Sequence, residues 1–251
     1  IQGLASARSA AHSGRVSERI DQTALSWDAL GWTAFFDDQK LPEDATLEPA
    51  RIATVHRARM SVETRHGATR LMLPPQTNTA QFAVGDWVLI DPETHMLGRR
   101  LDRKTLLQRR TEGGGAPQLI AANVDTLFIV TSCNDDLNPA RLERYLALAN
   151  EAGTTPVIVL TKADQVPDTS PYRDQVTGLQ RGLQVVAVNA HDPKAAETLA
   201  LWCGIGQTVA LVGSSGVGKS SLLNTLSQKT GEDAQLTGGI LDRKIAMPTG
   251  R

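Results

Sequence analysis

Gly213-Ser214-Ser215-Gly216-Val217-Gly218-Lys219-Ser220 satisfies the pattern G-x-x-x-x-G-K-[ST] at every fixed position. Three glycines let the backbone curl so that successive N–H groups face inward, a concave nest that suits a chain of phosphates. Lys219 is placed to reach the β- and γ-phosphates of a nucleoside triphosphate, and the Ser220 hydroxyl to ligate Mg²⁺. These two are the candidate catalytic residues, and Ser221 closes the loop on its helical side. The chemistry requires a strand that delivers the loop and a helix that receives it, with the positive end of the helix dipole facing the anion. Both are foreshadowed, by the apolar run Val209-Ala210-Leu211-Val212 and by Ser221-Leu222-Leu223-Asn224-Thr225-Leu226.

A second motif speaks to the base. Thr161-Lys162-Ala163-Asp164 closes the apolar run Pro156-Val157-Ile158-Val159-Leu160. A carboxylate at the end of a buried strand can accept from both the ring N–H and the exocyclic amine of guanine, a donor pair that adenine lacks. The stem of Lys162 can lie along the purine ring while its ammonium braces the phosphate loop. Ligands of open α/β sheets bind at the C-terminal ends of strands, and Asp164 stands at such an end. A further run, Gln184-Val185-Val186-Ala187-Val188, ends in Asn189-Ala190. It resembles the short loop in which an alanine N–H meets the guanine oxygen.

The order of these motifs is unusual, because Lys162 and Asp164 precede Lys219. Together with Asn123-Val124-Asp125 opening the strand Thr126-Leu127-Phe128-Ile129-Val130, the order resembles that of a circularly permuted GTPase. Within that group the chain is similar to the RsgA (YjeQ, EngC) family of small-ribosomal-subunit assembly GTPases. The likeness rests on residues 120–125, on Leu160 to Asp164 and on Leu211 to Ser221, with Val84-Gly85-Asp86-Trp87-Val88 and Leu106-Leu107-Gln108-Arg109-Arg110 upstream. The resemblance implies a Mg²⁺-dependent hydrolysis of GTP to GDP and phosphate, and binding to the small ribosomal subunit and its rRNA. It also implies a cytoplasmic monomer and a zinc module of Cys and His. The rival expectations are an ATP-dependent enzyme sharing only the phosphate loop and a nucleotide-regulated RNA-binding module.

The elements that must position these residues divide the 251-residue chain into an N-terminal arm with a short helix (1–47), an OB-like barrel (48–112) and the permuted GTPase domain (113–251). The fold class is therefore α/β plus β. Strands are expected at 51–55, 60–64, 71–73, 87–90 and 105–109, short and alternating as in a small antiparallel barrel, with Gly113-Gly114-Gly115-Ala116-Pro117 as the hinge. Beyond it, helices are expected from Pro139 to Ala152 and from Lys194 to Trp202, alternating with near-continuous apolar strands of a parallel sheet.

Charge is unevenly spread. Residues 51–110 hold eleven Lys/Arg against five Asp/Glu, although the whole chain carries a net charge of −1. The segment reads either as a nucleic-acid-facing module, with Arg51, Arg57, Arg59, Arg65 and Arg70 as candidate RNA contacts, or as a basic solvated surface. No apolar run approaches the ~18 residues of a membrane span. Cys133 and Cys203 read as buried free thiols.

A threonine-bearing switch and a D-x-x-G turn are not visible, nor is a zinc-ligand cluster. Thr237-Gly238-Gly239-Ile240 resembles an approach to the first switch, whereas Leu241 to Pro248 resembles the hairpin leading into D-x-x-G. A break between Ile240 and Leu241 is therefore expected. The chain opens on Ile1 and ends on Arg251, and neither is expected to be a natural terminus.

Overall fold

The computed structural model describes residues 26–56, 59–111, 114–232 and 240–245, with backbone alone beyond residue 227. At the start, a 3-10 turn at Asp28–Leu30 and a one-turn helix α1 (Ala34–Asp37) take the place of the expected amphipathic helix. Their aromatic side chains pack against the barrel: Trp32 lies edge-on to Trp87 at 4.9 Å between centroids, and Phe36 sits 5.8 Å from the same ring.

Five antiparallel strands come next, β1 (Glu48–Val55), β2 (Met60–Thr64), β3 (Gly67–Leu71), β4 (Trp87–Ile90) and β5 (Leu97–Arg100). They lie in the order β3-β2-β1-β4-β5, and a parallel bridge between Met72 and Met96 joins the two outer strands. The sheet thereby closes on itself as an OB-like barrel, filled by Ile52, Met60, Val62, Leu71, Val88 and Ile90. Period-two burial along β2 is the local reason that this segment is a strand. The fifth strand differs from expectation. Leu97-Gly98-Arg99-Arg100 has no alternating apolar pattern, and it is recruited by a tight turn in which Asp91 Oδ1 accepts from the amides of Glu93 and Thr94 at 3.0 and 2.7 Å.

The segment expected to be the last barrel strand is instead β6 (Leu106–Arg109), which pairs antiparallel with β7 (Gln118–Ala122) in a separate two-stranded ribbon. Gly114 to Pro117 lie between the two strands of that ribbon.

The second sheet is parallel throughout and has the order β10-β9-β8-β11-β12. Its members are β8 (Thr126–Ser132), β9 (Thr155–Thr161), β10 (Gln184–Ala187), β11 (Val209–Val212) and β12 (Ile240–Ile245). Helices α2 (Pro139–Ala152), α3 (Ser170–Thr177), α4 (Lys194–Leu199) and α5 (Lys219–Glu232) connect them. Leu127, Ile129, Ile158, Leu160 and Val212 face α2 and α3. Phe128, Val130, Val157, Val159 and Leu211 face α4 and α5. Both faces are covered, which is why β8 and β11 are buried along their whole length.

Helix α2 has the expected bounds, with Asn138 Oδ1 capping the Arg141 amide at 3.0 Å and Gly153 ending it in the left-handed region. Strand β12 pairs with β11 along Ile240–Ile245, with a shift of register between Ala210 and Val212. The switch approach before it and the residues after Ile245 fall outside the described segments.

Candidate nucleotide site

Strands β8, β9 and β10 step outward in one direction, and β11 then returns to the other side of β8. The crevice where strand order reverses, at the C-terminal edge of the sheet, is where open α/β folds take their ligands. Because all five strands are parallel, the segments just after β9, β10 and β11 emerge on that edge together. These are the T-K-x-D motif, Asn189-Ala190 and the phosphate loop.

The loop leaves β11 at Gly213, whose φ of 150° carries it so close to β8 that an added Cβ would lie 2.2 Å from the Val130 carbonyl oxygen. No other residue fits there. Gly216 and Gly218 also adopt positive φ, at 79° and 91°, the reversals that build a concave run of amides. Gly213 and Val217 are buried, Ser214, Gly218, Lys219 and Ser221 half-buried, and Ser215, Gly216 and Ser220 exposed. Val217 joins the cluster beneath α5 and anchors the loop to the core. Lys219 opens α5, and its Nζ donates to the carbonyls of Gly213, at 2.9 Å, and Ser214. The ammonium is thus held over the loop. The Ser220 hydroxyl, in the first turn of α5, is a hard oxygen donor of the kind Mg²⁺ takes.

Two buried threonines tie the other segments to this loop. Thr161 Oγ1 shares its hydrogen between the carbonyls of Val217, at 2.5 Å, and Thr131, at 3.1 Å. Thr225 Oγ1, on α5, donates to the Ala190 carbonyl at 2.7 Å. Lys162 is held at φ 56°, a left-handed conformation that costs a non-glycine residue about 1–2 kcal/mol. It turns the chain sharply after β9, so that Asp164 lies in a short 3-10 turn with its side chain exposed at the sheet edge. Ala163 donates to the Val188 carbonyl at 3.3 Å, which joins this turn to the end of β10. Asn189 Oδ1 accepts from the His191 amide at 2.9 Å and shapes the next turn. The sequence points to neither threonine tie. It shows Thr161 only as the first residue of the T-K-x-D motif, and Thr225 as a polar residue beside Leu222 and Leu226 in the buried stripe of α5.

The candidate RNA contacts separate into three groups. Arg51 is a correction: it is buried, with Nη1 donating to the Leu30 carbonyl at 2.8 Å and Nη2 to Thr208 Oγ1 at 2.7 Å and the Asn123 carbonyl at 3.2 Å. A guanidinium so enclosed is not offered to an RNA phosphate. Arg57 lies outside the described residues. Arg59, Arg65 and Arg70 are exposed on the barrel, Arg65 with its guanidinium 5.9 Å from the Trp27 ring centroid. Among the described residues no group of three or more His, Cys, Asp and Glu could hold a metal ion, and no helix is long and apolar enough to cross a membrane. Cys133 is buried and Cys203 half-buried, both free thiols.

A parallel sheet in which the T-K-x-D strand precedes in sequence the phosphate loop that it meets in space defines a circularly permuted P-loop protein, here preceded by a barrel. The RsgA GTPase family model matches residues 100–244, and the chain belongs to that family. It is 59% identical over 223 residues to the small ribosomal subunit biogenesis GTPase RsgA of Mesorhizobium japonicum, covering 89% of this chain and 64% of that protein. The chain thus spans less than two thirds of that relative's length. Crystal structures of YjeQ from Thermotoga maritima and of YloQ, a circularly permuted GTPase, share the fold. Their TM-scores are 0.58 and 0.53 at 24% and 22% identity, covering 72% and 76% of this chain and 65% and 68% of theirs.

Proposed function

We propose that this chain is the barrel and nucleotide-binding part of a GTP hydrolase that docks on the small ribosomal subunit and assists its late maturation. The observation that carries the reading is the pair of threonine ties, which fix the Asp164 turn to the phosphate loop and the Asn189-Ala190 turn to α5, the helix that the loop leads into. A base and its phosphates would be gripped by one rigid edge. In this reading the amides of Gly213 to Ser221 hold the phosphate chain, and Lys219 neutralises charge on the β- and γ-phosphates. The Asp164 carboxylate accepts from the guanine edge, Lys162 lies along the ring, Asn189 shapes the turn, and the Ala190 N–H meets the base oxygen. Ser220 would hold Mg²⁺, which when bound supplies charge neutralisation between the β- and γ-phosphates. Water displaces GDP at the γ-phosphorus, giving GDP and phosphate. Arg59, Arg65 and Arg70 give the barrel a basic surface for rRNA phosphates. The protein would act as a cytoplasmic monomer, with residues 1–47 as arm, the barrel from 48 and the nucleotide domain completing the chain. Among the described residues no group of three or more His, Cys, Asp and Glu marks the zinc module that the resemblance implies.

The deciding experiment measures GTP turnover by full-length protein with and without purified small subunits. Stimulation by subunits, absent in Lys219→Ala and Ser220→Ala, supports the reading. Equal use of ATP would instead identify an ATP-dependent enzyme. Tight GTP binding without turnover under either condition would identify a nucleotide-regulated RNA-binding module.

A further inference from the structure

The polar groups at the junction of barrel and parallel sheet take no part in the nucleotide site. Arg51, on β1, is 7% exposed, and its guanidinium reaches beyond the barrel toward the parallel sheet. It donates to acceptors on three separate segments, Leu30 in the N-terminal turn, Asn123 ahead of β8 and Thr208 at the threshold of β11. Its guanidinium carbon lies 5.7 Å from the Trp87 ring centroid. Burial brings its pKa down to about 10, so the group stays charged at neutral pH and depends on these acceptors.

The same corner is tightened by two further residues from the Asn123-Val124-Asp125 motif. Asn123, at φ 56°, donates from Nδ2 to the Gly85 carbonyl of the barrel at 2.9 Å and accepts at Oδ1 from the Lys104 amide at 2.8 Å. Asp125 Oδ2 accepts from the Thr208 amide at 2.7 Å, and the Asp125 amide donates to the Thr208 carbonyl at 2.9 Å. Just upstream, Gly206 is pressed against the N-terminal turn so closely that a Cβ would lie 2.5 Å from the Asp28 carbonyl oxygen.

Thr208 leads straight into β11, and this gives the junction its consequence. The strand is four residues long, fully buried and paired on both edges, and it runs directly into Gly213. One end of a stiff rod is therefore gripped by a barrel residue, and the other becomes the phosphate loop.

We propose that Arg51 makes the barrel and the nucleotide fold a single cooperative unit, so that occupancy of the phosphate loop stabilises the barrel strands against opening. Arg51 is on this view a positioning residue, one that carries nucleotide binding energy to the basic barrel surface. The inference rests on the reading of the phosphate loop as a nucleotide site.

Amide hydrogen exchange tests it, with Mg²⁺-GDP as the probe at about 100 times its dissociation constant. A ligand that binds only the folded unit suppresses opening of that whole unit by about 100-fold. Amides in β1 and β2, such as those of Ile52 and Val62, should then slow with GDP by about the same factor as those in β9. In Arg51→Met, and more weakly in Thr208→Val, GDP should slow the β9 amides alone. Thr208→Val decides the matter if Arg51→Met does not fold, because it keeps the shape of the site and leaves the guanidinium two carbonyl acceptors. Barrel amides indifferent to GDP in the unaltered protein, or slowed as strongly in both variants, would overturn the proposal. No slowing anywhere would instead overturn the nucleotide reading itself.

Discussion

Thr161 and Val217 stand 56 positions apart in sequence, yet the Thr161 hydroxyl lies 2.5 Å from the Val217 carbonyl oxygen. One buried hydrogen bond therefore joins the first residue of the T-K-x-D motif to the floor of the phosphate loop. Removing the donor while keeping the shape leaves buried carbonyls without it, at a cost of about 1–3 kcal/mol. Thr161→Val should accordingly weaken GDP binding about tenfold in titration calorimetry, with Thr161→Ser restoring it. Unchanged affinity in the valine variant would make the tie a structural feature only.

Asp164 offers a test of base identity. Asp164→Asn should weaken GTP and favour xanthosine triphosphate, because xanthine presents a carbonyl where guanine has its amine and an amide can donate to it. A charge-assisted pair is worth about 1.5–3 kcal/mol, so the GTP/XTP preference should move at least about tenfold. Competition binding that finds the preference unmoved would take Asp164 out of the base site.

On the barrel, Arg59 and Arg70 are exposed and Arg51 is not. If the exposed pair meets RNA phosphates, affinity should fall with salt at a log–log slope of about −0.7 per phosphate contacted on single strands. Alanine at both positions should flatten that slope by up to about 1.4 units. A slope that stays the same would place the RNA contacts on another surface.

Burial raises the thiol of Cys203 to about 11 from its ordinary 9.0. At pH 8 only about one thiol in a thousand is then ionised, so alkylation of the native protein should be slow and should rise about tenfold per pH unit up to pH 10. The shift also has a sign for stability. A folded-state value above the unfolded one favours the fold fully below pH 9, and this contribution is lost as pH rises through about 11. Denaturant melts at pH 8 and pH 10.5 should differ in that direction for the native protein and less for Cys203→Ala.

Much of the architecture is legible in one dimension. Helix α2 declares itself through Asn138, Pro139 and Gly153, residues that act on their nearest neighbours. The phosphate loop does so through glycines at fixed spacing, since positive φ is a property of the residue itself. The strands of the parallel sheet show as unbroken apolar runs because both of their faces are covered. Leu97–Arg100 could not be read as a strand in the same way, for its place beside β4 is set by the Asp91 turn and by the Met72–Met96 bridge.

By itself, then, the sequence determined the phosphate loop and the T-K-x-D turn, because each depends on residues within a few positions of one another, and with them the inverted order in which they occur. Only the tertiary structure decided that Arg51, one basic residue among eleven in its segment, belongs to the interior. Its acceptors at Asn123 and Thr208 lie 72 and 157 positions away. Whether an arginine meets solvent or three buried oxygens depends on which distant segments the fold brings beside it, and no local pattern carries that information.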